Sequence, residues 1–229
     1  MNTSPFKKQQ VGHKKRKIQP QVIYRNPIQS VPKGEIKTVD IPLTTSNFVT
    51  TPTAILLNGV ATGVNFVNRI GAKTKMKSFQ LKANIQNILT STEGVLRLLI
   101  VYDKQPNGAL ATIADVIESR DNANNATTTI YSCPKVENRD RFEIIRDKTW
   151  HAPSVTNTGG VLTNLSYPSN DDEMEFSEFI KLGKKATYKE TTSGISAIST
   201  GSLLMFLLAS GTTNAYQLSW GSRLRFYDN

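Results

Sequence analysis

The stretch 216–227 alternates with a period of two. Tyr216, Leu218, Trp220, Leu224 and Phe226 share one parity, while Gln217, Ser219, Arg223, Arg225 and Tyr227 take the other. A strand with one buried face requires that period, and a helix cannot present it. The same alternation runs through 79–86, where Phe79, Leu81, Ala83 and Ile85 oppose Gln80, Lys82, Asn84 and Gln86. In the central stretch 95–102, Leu96, Leu98, Ile100 and Tyr102 line one face, and Arg97 interrupts the other. Residues 203–208 are wholly apolar, which predicts a strand buried on both sides. About eight such segments occur with no helical repeat between them, so an antiparallel two-sheet sandwich is expected rather than a parallel α/β fold. Among sandwiches, an eight-stranded jelly roll fits best.

One short helix is expected beyond the central strand. Pro106 and Asn107-Gly108 supply turn chemistry. Thr112 and Asp115 then have the spacing of a capping box, with Ile113, Val116 and Ile117 on one apolar face. Shorter strands are expected at 35–40 and, around Cys133, at 130–136, and one or two strands around Gly183 in 176–188. Segment 141–150 carries Phe142, Ile144 and Trp150 on one parity and charges on both, which suits a strand that contacts a neighbouring subunit. Lys73, Lys75 and Lys77 precede the apolar positions of their strand and are expected beyond the edge of the core. Segments 44–68 and 152–170 read as loops.

Charge divides the chain in two. Lys7, Lys8, Lys14, Lys15, Arg16, Lys17, Arg25 and Lys33 lie in residues 1–34 with no acidic residue among them, and the formal net charge of the whole chain is +10. The remainder is therefore almost neutral. A cationic stretch this poor in apolar residues cannot offset the entropy of ordering, so 1–34 is expected to be a disordered basic arm and 35–229 the folded domain. Lysines on such a tether neutralise phosphates without reading bases. The cluster Lys14-Lys15-Arg16-Lys17 also has the composition of a nuclear-import signal. A solubilising tail is the plainer alternative. On the polar parity of the strands, Arg223, Arg225 and Lys82 form a candidate secondary nucleic-acid surface.

Little in the chain suggests catalysis. The lone Cys133 excludes an internal disulfide and a multi-cysteine zinc site, and His13 and His151 are the only histidines. Leu57–Gly63 contains two glycines but lacks the Gly-Lys-Ser/Thr of a phosphate loop. The acidic run at Asp171, Asp172, Glu173, Glu175 and Glu178 lacks the glycine and terminal glutamate of a calcium loop. No cofactor or metal is expected. The chain opens without an apolar signal segment, and its longest apolar run, Leu203–Ala209, is too short to span a bilayer, so no membrane partner is expected.

Several segments together resemble one known family. The basic arm, RIGAK at 69–73, VYDKQPNG at 101–108 with its helix, and NRDRFEIIRDK at 138–148 are similar to capsid proteins of small circular, Rep-encoding single-stranded DNA viruses. The layout also resembles the coats of geminiviruses and of satellite tobacco necrosis virus. The match is specific over roughly 35–150. It implies a jelly-roll subunit that self-assembles into an icosahedral shell of about 60 copies, with the arm on a single-stranded DNA genome. It further implies residence in the virion, passage through the host nucleus and contact with import machinery. By that analogy the eight strands are 74–88, 95–102, one near Ile130, 141–150, 176–182, 184–189, 203–208 and 216–227. The rival reading is a non-viral β-sandwich that binds nucleic acid as a monomer or dimer.

Overall fold

The computed structural model describes residues 35–87, 94–118, 129–152, 155–158, 161–164, 175–210 and 215–228. The expectations for 1–34 and for Asp171–Glu173 lie outside the described residues. Contacts divide the chain into units Met1–Lys33 and Gly34–Asn229, and the second contains every described residue.

In chain order the elements are β1 (Ile36–Asn47), β2 (Ile55–Leu56), β3 (Lys73–Asn87), β4 (Gly94–Asp103), α1 (Ile113–Val116), β5 (Phe142–Ala152), β6 (Val155–Thr158), β7 (Val161–Asn164), β8 (Glu175–Tyr188), β9 (Ile198–Thr200), β10 (Ser202–Ala209) and β11 (Tyr216–Asp228). One sheet has the order β1-β11-β3-β8-β9, the other β2-β10-β4-β5, and β6 pairs with β7 in a separate hairpin. Every pairing between these strands is antiparallel. Leaving out β6, β7 and β9, the eight remaining strands interleave as two Greek keys: the first, last, third and sixth face the second, seventh, fourth and fifth. That order is the jelly roll.

Two hydrophobic clusters hold it. Between the sheets, Phe79, Leu81 and Ile85 of β3 meet Leu96, Leu98 and Ile100 of β4, with Leu203, Met205 and Leu207 of β10 and Trp220, Leu224 and Phe226 of β11. The second cluster lies on the outer side of the four-stranded sheet, where Leu99, Val101, Leu204, Phe206 and Leu208 are covered by Ile113, Val116, Ile117 and Ile130. This second layer explains why all eight residues of β10 are buried. The helix therefore lies flat on the sheet, as its apolar face requires. Asp115 accepts from the backbone N–H of Thr112 at 2.9 Å and from its hydroxyl at 2.7 Å, closing the first turn. Asn107 and Gly108 adopt positive φ of 53° and 77° in the preceding turn, conformations that asparagine and glycine tolerate.

Arg97 is a buried charge beside the outer cluster. Its guanidinium pairs with both oxygens of Asp147 at 2.8 and 2.6 Å and donates to the carbonyls of Ile130 and Ser132 at 2.7 and 2.8 Å. Those bonds satisfy a buried cation and fasten segment 129–134 over the sheet. Backbone bonds from Glu118 to Cys133 and from Lys135 to Val116 finish the fastening.

Several strand boundaries differ from the sequence reading. The segment around Ile130 is not a strand and makes only an isolated bridge between Ile117 and Pro134. The strands expected at 176–182 and 184–189 are one, Glu175–Tyr188, because Gly183, at φ 63°, absorbs a bulge instead of ending it. The two places thus vacated in the roll belong to Ile36–Asn47 and Ile55–Leu56, the latter within a stretch expected to be loop. In β3, a register shift at Lys77 changes the inward parity. Met76 enters the core, and Lys75 and Lys77 are exposed on the strand's outer face, not beyond its end.

Candidate nucleic-acid and assembly surfaces

The outer face of the five-stranded sheet is set by β11 and its neighbours. Antiparallel pairing puts Asp40, Arg223, Gln80 and Phe179 in one row, and Thr38, Arg225, Ser78 and Lys181 in the next. A further row holds Tyr227, Lys75 and Lys185. The Lys77 ammonium lies 5.6 Å from the Tyr227 ring centroid. Lys75, Lys77, Arg225, Lys181 and Lys185 thus converge from three strands onto one half of the face. Parity marked Arg225 in the sequence, whereas Lys181 and Lys185 join it only through strand order, which no local pattern encodes.

Of the three candidate cations, Arg223 and Lys82 rim the same shallow depression of about 390 Å³, floored by Gly221 and closed at one side by Ile41 and Pro42. Gly221 leaves the floor open for want of a side chain, and β1 bulges opposite it, between Ile41 and Thr44. Arg223 is already paired: its Nε and Nη2 donate to the two carboxylate oxygens of Asp40 at 2.8 and 2.7 Å. That guanidinium, through its hydrogen bonds, holds the Asp40 carboxyl below the usual carboxylate range. Arg225 lies one row away from this depression, beside Ser78. The arm cations Lys7, Lys8, Lys14, Lys15, Arg16, Lys17, Arg25 and Lys33 lie outside the described residues.

On β5, expected to suit a contact with a neighbouring subunit, several charges pair within the subunit. A register shift near Ile145 puts Ile145 and Trp150 on the inner face while Phe142 and Ile144 keep the outer. Arg146 and Lys148 then reach Glu178 across the open side of the sandwich, and Lys184 pairs with Glu143 at 2.6 Å. The Trp150 and Phe176 rings stack beside them, 4.9 Å apart. These contacts close the gap between β5, at the edge of its sheet, and β8.

A third region is the loop 61–72, which joins β2 to β3. Arg69 is only 3% exposed, and its guanidinium donates to the carbonyls of Val60, Gly71 and Glu190 while lying 4.3 Å above the Tyr188 ring. Burial first, outweighing the hydrogen bonds and the Arg69 charge, pushes the Tyr188 hydroxyl up to about 12. Asp228 accepts from the backbone N–H groups of Ile70 and Gly71 at 2.5 and 3.1 Å. Lys37 donates to the carbonyl of Asn68 at 3.0 Å. Nothing in the local sequence marked the Lys37 and Asp228 anchors, because their partners in the loop lie 31 to 158 residues away.

Among the described residues, no three His, Cys, Asp or Glu side chains converge as a metal site requires, and no helix is long and apolar enough to cross a membrane. Cys133 is exposed.

Jelly rolls serve viral shells, lectins and cupins; a roll following a leader of eight uncompensated cations has the organisation of the first of these classes. The sequence assigns it further: a model of the Geminivirus coat protein/nuclear export factor BR1 family matches residues 2–229, and the chain belongs to that family. It is accordingly a viral protein of the capsid type with a structural role, and the non-viral reading is set aside. Comparison with curated proteins finds no match. Among solved structures, the chain is similar to VP1 of Trichodysplasia spinulosa-associated polyomavirus in complex with 3'-sialyllactose, at 10% identity over 87% of this chain and 98% of that one, with TM-score 0.32. The 60-mer BFDV capsid protein shares 9% identity over 85% of this chain and 93% of that one, with TM-score 0.24. Overlaps this loose carry no argument, and the fold rests on strand order.

Proposed function

We propose that copies of this chain assemble into a closed icosahedral shell of about 60 subunits that packages single-stranded DNA, with residues 1–34 as the principal contact to the genome. Membership of the coat-protein family across residues 2–229 is the observation that carries the reading. The charge pattern supports it: the eight arm cations bring about 480 positive charges to such a shell, one per neutralised phosphate. Packaging is then largely indifferent to sequence, because lysines meet phosphates and not base edges. Arg225 with its neighbouring lysines, and Arg223 with Lys82 at the adjoining depression, add a secondary contact. Lys14, Lys15, Arg16 and Lys17 direct the subunit to the host nucleus, where assembly takes place, before it resides in the virion.

Negative-stain microscopy and sedimentation of the full chain with single-stranded DNA test the assembly. Closed particles are expected, and a chain that stays at subunit size under all conditions overturns the shell. Affinity for DNA should fall steeply with salt, by a log–log slope of about 0.7 for each engaged cation. Replacing Lys14, Lys15, Arg16 and Lys17 with glutamine should lower that slope by up to about 3 and exclude a fluorescent fusion from the nucleus. A flat salt response removes the electrostatic account.

A further inference from the structure

Loop 61–72 exposes four large apolar side chains on a backbone that is held rigid. Val64 is 92% exposed, Ile70 68%, Phe66 53% and Val67 51%. Beneath them, the backbone N–H of Gly63 donates to the carbonyl of Arg69 and that of Arg69 to the carbonyl of Ala61, while the N–H of Thr62 donates to the carbonyl of Thr191. Buried Arg69 and the Asp228 carboxylate hold the rest, as described above. Such a display is unfavourable for an isolated subunit. Four side chains of this size present on the order of 400 Å² of apolar surface, which is as large as the patches that mark interaction sites. Arg69 is the only charged residue from 61 to 72, and it is folded inward.

A complementary surface exists elsewhere on the same subunit. Segments 50–54 and 110–114, joined by a bridge between Thr53 and Thr112, border a groove of about 470 Å³ beside β2. Its lining alternates apolar residues, Leu110 and Ala114 the most exposed of them, with the threonines at 50, 51, 53 and 112, and no charged residue lines it. In a chain with 28 basic and 18 acidic residues, a projecting apolar loop and a concave surface free of charge on one subunit are notable. Depletion of charge with an aromatic at the centre is the composition of an interface core.

We propose that the loop 61–72 of one subunit docks in the 50–54/110–114 groove of a second copy, with Phe66 as the central anchor. This inference rests on the shell reading and identifies one of its contacts. Because loop and groove are different patches, the contact is heterologous: each subunit gives a loop to one neighbour and a groove to another, the arrangement that builds rings. The loop supplies roughly half of the 800 Å² per partner of a standard interface, so other contacts complete the shell. Its pinned backbone avoids the ordering cost that a mobile loop incurs on binding.

The test uses the full chain carrying Val64→Asp with Phe66→Asp, and separately the full chain carrying Ala114→Arg. All three sites are exposed, so each variant should keep the circular dichroism and melting temperature of the parent. Val64→Ala with Phe66→Ala serves as a milder loop variant should the aspartates disturb folding. Each variant alone should need at least about a hundredfold higher concentration to assemble. Mixed in equal amounts, the aspartate and arginine variants should form heterodimers through the one intact loop and one intact groove, without closing shells. If the parent forms shells and the variants do so equally well, or if the mixture stays monomeric, this contact is overturned while the shell reading stands. If the parent itself never associates, both are overturned.

Discussion

The ammonium of Lys37 and the carboxylate of Asp228 meet at 3.2 Å, joining the first strand of the sandwich to the last. Neither is well hydrated, with side chains 3% and 10% exposed. The same carboxylate carries the backbone of Ile70 and Gly71, so one group ties together an ion pair, a sheet edge and the base of the apolar loop.

Replacing Asp228 with asparagine should therefore reach beyond its own strand. It leaves Lys37 buried with only the Asn68 carbonyl as a strong partner. The expected loss is about 2–3 kcal/mol, read as a fall of roughly 4–12 °C in melting temperature for a domain of this size. An unchanged melting temperature would show that the pair is incidental.

Acid should weaken the fold through the same group. Burial works against the charged form of Asp228, but the N–H groups of Ile70 and Gly71 and the Lys37 ammonium outweigh it and hold the carboxyl below its ordinary range. In Asp115, burial is likewise outweighed by the Thr112 hydrogen bonds, and Arg223 lowers Asp40. In the unfolded chain these carboxyls return to about 3.9. Their contribution is thus present in full above about pH 5 and is lost as pH falls through the lower folded values. Denaturant midpoints should stay level from about pH 7 to 5 as far as these groups are concerned and drop below about 4, less steeply in Asp228→Asn. A variant with the parent's acid limb would remove Asp228 from the explanation.

Arg97→Met tests the fastening of segment 129–134. It frees Asp147 to hydrate, since that side chain is 39% exposed, but strands the carbonyls of Ile130 and Ser132. A destabilisation of about 2–4 kcal/mol is expected, with hydrogen exchange at the amides of Glu118 and Lys135 rising at least about tenfold. Arg97→Lys should not restore it, because one ammonium cannot reproduce the guanidinium's fork.

Asp40→Asn distinguishes a working secondary DNA surface from a decorative one. The pairing that now occupies Arg223 would weaken, releasing a cation beside Lys82. Binding to single-stranded DNA at low salt should tighten several-fold and its salt slope should steepen by about 0.7. Unchanged binding would exclude the Arg223–Lys82 depression from contact with DNA.

Alternation exposed much of the fold. The inward residues of β11 are Tyr216, Leu218, Trp220, Leu224 and Phe226, as their parity predicts, and Leu96, Leu98 and Ile100 behave likewise. Register shifts defeated the same rule elsewhere: one extra residue at Lys77 or near Ile145 reverses every parity beyond it without any mark in composition. Ile55–Leu56 was illegible because two residues cannot display a period. The cationic half-face escaped for a different reason, since Lys181 and Lys185 approach Arg225 and Lys75 only when β8, β3 and β11 lie side by side.

The place of β11 between β1 and β3 bears on the timing of synthesis. A ribosome makes β1 and β3 well before the strand that must slide between them; β3 can pair with β8 first, but β1 has no partner in the sheet until residues 216–228 emerge. At the usual ~5–20 residues per second, β1 waits many seconds without its neighbour, a delay set by strand order alone.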